Sequence, residues 1–187
     1  MGGYTIFTGG YRVRREPETI EGPRLGGAFK DQLSEAGQWY IYMYMQGETL
    51  PKESNRVYLS ETLKDPYGIP QLVTDVGYDD NDEKMIRDFL EESRKMLEAA
   101  GCSEIETVDN HQAPGLDIHE MGGVRMGEDP ATSLLNRNNQ LHACPNVFVT
   151  DGACMTSPGN QSPSILYMAL TARAADYAAS LVNKDEL

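Results

Sequence analysis

The chain has 187 residues, enough for one domain with a sizeable core or for one large piece of a longer protein. Acidic residues outnumber basic ones 29 to 16, for a formal charge of -13, which excludes the clustered cationic surface that a phosphate backbone requires, so no nucleic-acid partner is expected. No run of about 18 apolar residues occurs, so no membrane span is expected either.

The N-terminus, Met1-Gly2-Gly3-Tyr4-Thr5, lacks a basic region followed by an apolar core, and a soluble, cytoplasmic protein is the favoured reading. The closing Lys184-Asp185-Glu186-Leu187 spells an endoplasmic-reticulum retrieval signal, which without a leader is read as coincidence. Three cysteines, Cys102, Cys144 and Cys154, are odd in number and lack CxxC spacing, which argues against a disulfide framework or a thiolate zinc site.

Residues 1–37 are rich in glycine and charge, punctuated at Pro17, Gly22-Pro23 and Gly26-Gly27, and read as loops around short extended pieces. Strict alternation from Gln38 to Gln46 predicts a strand with Trp39, Ile41, Met43 and Met45 on one face and Tyr40, Tyr42 and Tyr44 on the other. The tyrosine face is either the wall of a sugar-sized pocket or a half-solvated sheet surface. Two further strands are predicted, Asn55–Glu61 with Val57 and Leu59 inward and Pro70–Tyr78 with Leu72 and Val76, joined by a turn at Lys64-Asp65-Pro66-Tyr67-Gly68. Short connections between these three strands favour an antiparallel sheet.

Asp80-Asn81-Asp82 then supplies N-cap candidates for an amphipathic helix over about 83–100, its stripe formed by Met85, Ile86, Phe89, Leu90, Met96 and Leu97, with Gly101 as its stop. That helix is expected to lie across one sheet face. Ile105–Val108 is a short strand candidate and Val147–Val149 a buried one, ending at Asp151-Gly152. A last helix, about 163–182, is expected to begin with Ser162 as N-cap and Pro163 at its first position. Its apolar residues occupy several faces, which predicts burial. The fold class read from this order is α+β: a mostly antiparallel sheet flanked by a long amphipathic helix, plus a buried C-terminal helix, divided into 1–116 and 117–187.

His111, His119 and His142, with Asp109 and Asp117, lack the HExxH spacing and any paired cysteines, so no metal site is expected; His142 reads as exposed in a polar turn. His119 stands apart because Gly122 and Gly123 follow it and let the backbone pass close to another body. By itself it is either a structural histidine in a glycine turn or a base. Asn160 lies two residues before the expected cap of the final helix, whose positive dipole end suits an anion; alternatively, Gly159-Asn160 is only a turn. No GxGxxG dinucleotide fingerprint occurs anywhere.

The motif His119-x-x-Gly122-x-x-Arg125-Met126-Gly127, the strand end Val149-x-Asp151-Gly152, and Asn160-x-x-Pro163 followed by Met168-Ala169-Leu170 together resemble the C-terminal part of the glucose-methanol-choline (GMC) oxidoreductases. Upstream, Gly47-Glu48-x-Leu50-Pro51-x-x-x-Asn55-Arg56-Val57 and Asp65-x-x-Gly68-Ile69-Pro70 are similar to the substrate-domain sheet of the same family. The resemblance implies oxidation of an alcohol or sugar CH–OH group with FAD as hydride acceptor, with a modest lean toward pyranose oxidase-like members. It implies His119 and Asn160 as the catalytic pair, with Asp151, Gly152, Asn160, Gln161 and Ser162 along the flavin. It also implies a missing piece, because the family's N-terminal Rossmann FAD-binding half has no counterpart in this chain. The chain is therefore expected to need that half, as the other part of one protein or as a separate subunit. The rival reading is a non-catalytic carbohydrate- or protein-binding or assembly domain descended from the family.

Overall fold

The computed structural model describes residues 2–116 and 118–187, with Thr19 described by its backbone alone. Asp117, expected to open the histidine segment, lies outside the described residues. The order of elements is β1 (Tyr4–Arg14), α1 (Gly27–Ser34), β2 (Ala36–Gly47), β3 (Arg56–Lys64), β4 (Pro70–Asp75), α2 (Asp80–Ala99) and α3 (Ser164–Val182), with 3-10 turns at Pro17–Thr19 and Gly152–Cys154. The α+β class holds. The single three-stranded sheet does not: β1 pairs with β2, and β3 with β4, as separate two-stranded sheets. The contacts divide the chain into two compact units, Ile6–Gln46 and Met1–Thr5 with Gly47–Leu187.

The first of these corrects the expectation of loops over residues 1–37, because β1 alone spans Tyr4–Arg14. Its glycines hid it: Gly9 and Gly10 read as turn residues, yet Gly9 makes room for an aromatic ring. A Cβ there would fall 2.5 Å from the Tyr42 hydroxyl oxygen, so the absent side chain is what lets Tyr42 lie across the strand. Thr8 Oγ1 donates to the Tyr42 carbonyl at 3.2 Å, Gly10 lies against the Tyr40 carbonyl and Gly37 against that of Val13, so the two strands run antiparallel. The tyrosine alternation of β2 is as expected, but its face is not a pocket wall. Phe7 stacks on Tyr44 (5.2 Å, 13°), Tyr42 on Tyr44 (6.3 Å, 14°) and Tyr11 on Tyr40 (5.8 Å, 16°), so ring faces that would receive a sugar are covered by one another.

In the second unit, the hairpin β3–β4 pairs Arg56 with Asp75 and Leu59 with Leu72. Asp65 closes its turn by accepting from the amides of Tyr67 (2.8 Å) and Ile69 (2.9 Å), and Gly68 takes the positive φ of 83° the turn needs. Val57, Leu59, Leu72 and Val76, expected inward, are exposed. A two-stranded ribbon has no second layer to bury them in.

Helix α2 starts three residues earlier than expected, because Asp79 rather than Asp80–Asp82 is its N-cap. The Asp79 side chain accepts from the Asn81 and Asp82 amides while Asp82 reaches back to the Asp79 amide, a capping box. At its end Gly101 takes φ 79°, its amide bonds to Glu98 O, and the Cys102 amide bonds to Leu97 O, the two bonds of a Schellman motif. Asp82, Met85, Phe89 and Ser93 form the buried stripe. Its partners are the residues that enter and open β1 rather than a broad sheet face: the Gly2 amide donates to Asn81 (2.7 Å), the Tyr4 hydroxyl to Asp88 (2.6 Å), and the Tyr4 ring meets Phe89 edge-on at 6.1 Å. Burial and then the hydrogen bond to Asp88 push the Tyr4 phenol up to about 12.

Beyond α2, Ile105–Val108 forms no strand, and Val147–Val149 contributes one bridge, Gln140 to Phe148, rather than a strand. The segment 126–149 is tied by single bridges around Leu135 and Asn139, both fully buried. Asn139 tolerates its positive φ of 63° because its side chain is fixed, donating to Val149 O (2.9 Å) and accepting from Arg173 of α3 (3.0 Å). Helix α3 begins at Ser164 with Pro163, not Ser162, at the cap position. Nor is it the buried helix that its composition predicts. Ala174 and Leu181 are its buried residues, whereas Ile165 is 79% and Met168 71% exposed.

Candidate functional site

The histidine motif is held by a ladder of main-chain bonds to the segment after Asp151. The amide of Gly122 donates to Gly152 O (3.2 Å), Val124 to Ala153 O (3.1 Å) and Met126 to Cys154 O (3.0 Å). Gly122 and Gly123 take φ of 90° and 89°, a backbone path closed to most other residues, which is why the motif carries two consecutive glycines. Gly152 is required for a different reason. A Cβ there would sit 2.7 Å from Glu120 O and 3.0 Å from the Met121 sulfur and the Tyr167 hydroxyl, so the loop that carries His119 passes directly over it. Asp151 caps the 3-10 turn that follows, accepting from the Ala153 amide at 3.0 Å.

Tyr167, on the second turn of α3, reaches under this loop with its hydroxyl 3.4 Å from the Met121 sulfur. Burial first, and then the nearby Asp151 charge, raise its pKa. Cys154 is buried, and that burial pushes its thiol up, away from the thiolate a nucleophile needs.

Asn160 occupies the turn between the 3-10 segment and α3. Gly159 takes φ 65° there, with no atom within 4 Å of where its Cβ would be, so one side of the turn is open. Ser162 closes the distance to the histidine, its Oγ 3.5 Å from His119 Nε2, at the outer limit of a hydrogen bond. His119 itself is half-buried. The structure thus brings His119 beside the Asn160–Ser162 turn and binds Asp151-Gly152 to the backbone just after the histidine. Gln161 is engaged elsewhere, its Nε2 donating to Thr5 at 2.7 Å.

The other histidines play separate parts. His111 pairs with Asp109 at 3.2 Å, with its side chain 87% exposed. His142, expected in an exposed turn, is half-buried and bridges Ser133 Oγ and Gly127 O, both at 3.2 Å from its Nε2. Among the described residues, no group of three His, Cys, Asp or Glu side chains is placed to hold a metal. A cleft of about 200 Å³ beside the motif is lined by Gly123, Arg125 and Pro130–Leu134, not by His119 or Asn160. Sequence reasoning missed the residues that steady the site: Glu48, which accepts from Ser157 at 2.5 Å, Thr5, Tyr167 and Arg173. Glu48 stands inside a motif the sequence did offer, but nothing in its spacing announced a partner 109 positions away.

Comparison with known proteins places these elements in one family. The C-terminal GMC oxidoreductase family model matches residues 51–171. The 2-methyl-1,2-propanediol dehydrogenase of Mycolicibacterium austroafricanum is 33% identical over 141 residues, covering 74% of this chain and 25% of that protein. The fructose dehydrogenase large subunit of Gluconobacter japonicus is 33% identical over 142 residues, covering 73% and 24%. A solved pyridoxine 4-oxidase from Mesorbium loti superposes with a TM-score of 0.49 at 24% identity, covering 79% of this chain and 30% of that one. The chain thus spans about a quarter of the length of the curated relatives it matches. With the family model covering the histidine motif, the Asp151-Gly152 turn and the Asn160 turn together, this chain belongs to the GMC oxidoreductases, an FAD flavoprotein family of alcohol and sugar dehydrogenases and oxidases.

Proposed function

We propose that the chain is the substrate-side, catalytic-histidine portion of an FAD-dependent oxidoreductase that converts the CH–OH group of an alcohol or sugar to a carbonyl, completed by an N-terminal FAD-binding half. The functional division falls at 116/117, with the histidine and flavin-facing segment after it. The observation that carries this reading is the approach of His119 Nε2 to the Asn160–Ser162 turn at the head of α3, within the matched segment.

The residues present fit a flavin. Pro163 carries no side-chain acceptor, so the first-turn amides of α3 lack a side-chain cap and the positive end of the helix dipole meets whatever lies against it. The open side of Gly159 leaves room for a planar group; the family resemblance sets Asp151, Gly152, Gln161 and Ser162 along its edge, Gln161 through its backbone because its side chain is bound to Thr5. FAD, when bound, supplies the hydride acceptor.

The chain's own residues supply the rest. His119 takes the substrate hydroxyl proton at Nε2 as the hydride leaves the carbinol carbon, which requires the oxygen at about 3 Å from that nitrogen. Asn160 holds the same oxygen through its side-chain amide, a donor that does not titrate. Excluding water from this pair requires a second body over the open side, and the exposed apolar residues Ile165 and Met168 on the first turns of α3 suit a docking surface for the FAD-binding half.

The test joins this chain to the FAD-binding half of a relative and follows flavin bleaching under anaerobic conditions with a panel of alcohols and sugars. Bleaching is expected, and His119→Ala is expected to slow it by about 100-fold or more. An unchanged rate in that variant would remove the histidine from the chemistry. A joined protein that binds FAD yet bleaches with no substrate would favour a non-catalytic descendant.

A further inference from the structure

The turn that presents Asn160 has no regular secondary structure, yet it is pinned from far away in sequence at two points that bracket the asparagine. Three residues before it, Ser157 Oγ donates to the Glu48 carboxylate at 2.5 Å. One residue after it, Gln161 Nε2 donates to Thr5 Oγ1 at 2.7 Å, across 156 positions. Glu48 joins the two anchors to each other, because its own amide donates to Gly3 O at 3.1 Å, two residues from Thr5. Gly3 completes the seat: a Cβ there would stand 3.4 Å from Asn160 Nδ2. The segment Gly2–Thr5 is itself fixed to α2 through Asn81 and Asp88, so the anchors rest on an ordered body.

We infer that Glu48 and Thr5 are positioning residues, which set the Asn160 turn against His119 without touching the substrate. A hydroxyl bound to a carboxylate is a charge-assisted bond, shorter and stronger than a neutral one, and suits a turn with so little of its own structure. What the turn does chemically rests on the proposed function; how it is held does not.

The experiment measures amide hydrogen exchange at Met155, Leu166 and Tyr167, the hydrogen-bonded amides on either side of the Asn160 turn, in the full 187-residue chain, alongside its thermal midpoint. Ser157→Ala and Thr5→Val are each expected to speed exchange at these amides about fivefold, the loss of one modest bond, and the double variant more, with the midpoint nearly unmoved. Ser157→Thr, which restores a hydroxyl, is expected to return the exchange toward that of the unsubstituted chain. Exchange unchanged in the double variant overturns the inference. Glu48→Ala, which removes the acceptor, provides a second variant of the same bond should the double variant fail to fold, and unchanged exchange in it is equally decisive.

In the chain joined to an FAD-binding half, the double variant is expected to lower kcat several-fold while KM moves less, with Ser157→Thr again restoring it. Faster exchange with an unaltered kcat removes the positioning role. A joined enzyme that never reduces its flavin counts against the proposed function instead, and leaves the exchange result to decide this inference.

Discussion

Helices α2 and α3 are nearly equal in length, 20 and 19 residues, and opposite in design. Helix α2 is finished within this chain. It has a capping box at one end and a glycine stop at the other, buries Met85 and Phe89, and turns a wet face outward on which Lys95 bridges Glu91 and Glu92 at 2.7 and 2.8 Å. Helix α3 has no side-chain cap, carries apolar residues on nearly every face, and leaves most of them in water. A helix apolar all round is ordinarily a buried helix, so the exposed stripe of α3 is the face that the proposed function assigns to the FAD-binding half. The difference teaches that burial of a helix and its composition are separable: α2 is ordered by partners within its own sequence, whereas α3 follows the Asn160 turn and leaves most of its apolar surface exposed.

Three measurements can break or sharpen this contrast. The largest effect is expected at Phe89, 9% exposed in the α2 stripe, where Phe89→Ala should cost about 3–5 kcal/mol in denaturant unfolding of the chain. A loss below 1 kcal/mol would mean that α2 is not the anchored helix.

Smaller, and specific to α2, is an acid limb in stability. Hydrogen bonds from the backbone amides of Asn81 and Asp82, with Lys52 nearby, hold the Asp79 carboxyl below its ordinary 3.8. A carboxylate depressed by folding stabilises fully above that ordinary value, and the contribution is lost as pH falls through the depressed one. Melting temperatures followed downward from pH 5 should therefore drop below pH 3.8, and Asp79→Asn should flatten that part of the drop; an identical acid limb in the variant would place its origin elsewhere.

The smallest effect on the isolated chain is expected from Met168→Ala, at a residue 71% exposed, with a change of about 0.5 kcal/mol or less. The same variant should weaken association with an FAD-binding half supplied in trans. Weak stability loss with unweakened association would show that this face of α3 is not the covered one.

The local backbone of the candidate site was legible in the sequence and much of its setting was not. The glycine pair after His119, the Asp151-Gly152 turn and the Asn160 turn each carry a local reason for their residues, positive φ or close backbone approach, and local reasons survive translation into structure. Periodicity found β2, β3, β4 and α2 for the same cause. It failed at β1, where Gly9 reads as a breaker until the Tyr42 ring is seen lying over it, and at Val57 and Leu59, whose alternation promised an inward face that a two-stranded ribbon does not possess. It also set the start of α3 one residue early, because Ser162 looks like a cap while its hydroxyl is turned to His119.

What the sequence determined by itself is therefore the family, the α+β class, and the local backbone of the glycine-rich turns around His119 and Gly152, since these depend on residue type and short spacing. What only the tertiary structure decided is how those residues are held: the bond from Ser157 to Glu48, that from Gln161 to Thr5, the pairing of Asn139 with Arg173, and the exposure of α3. The physical reason is range. A turn or a cap is fixed by neighbours a few residues away, whereas a bond across 109 or 156 positions leaves no periodicity to read and exists only once the chain has folded.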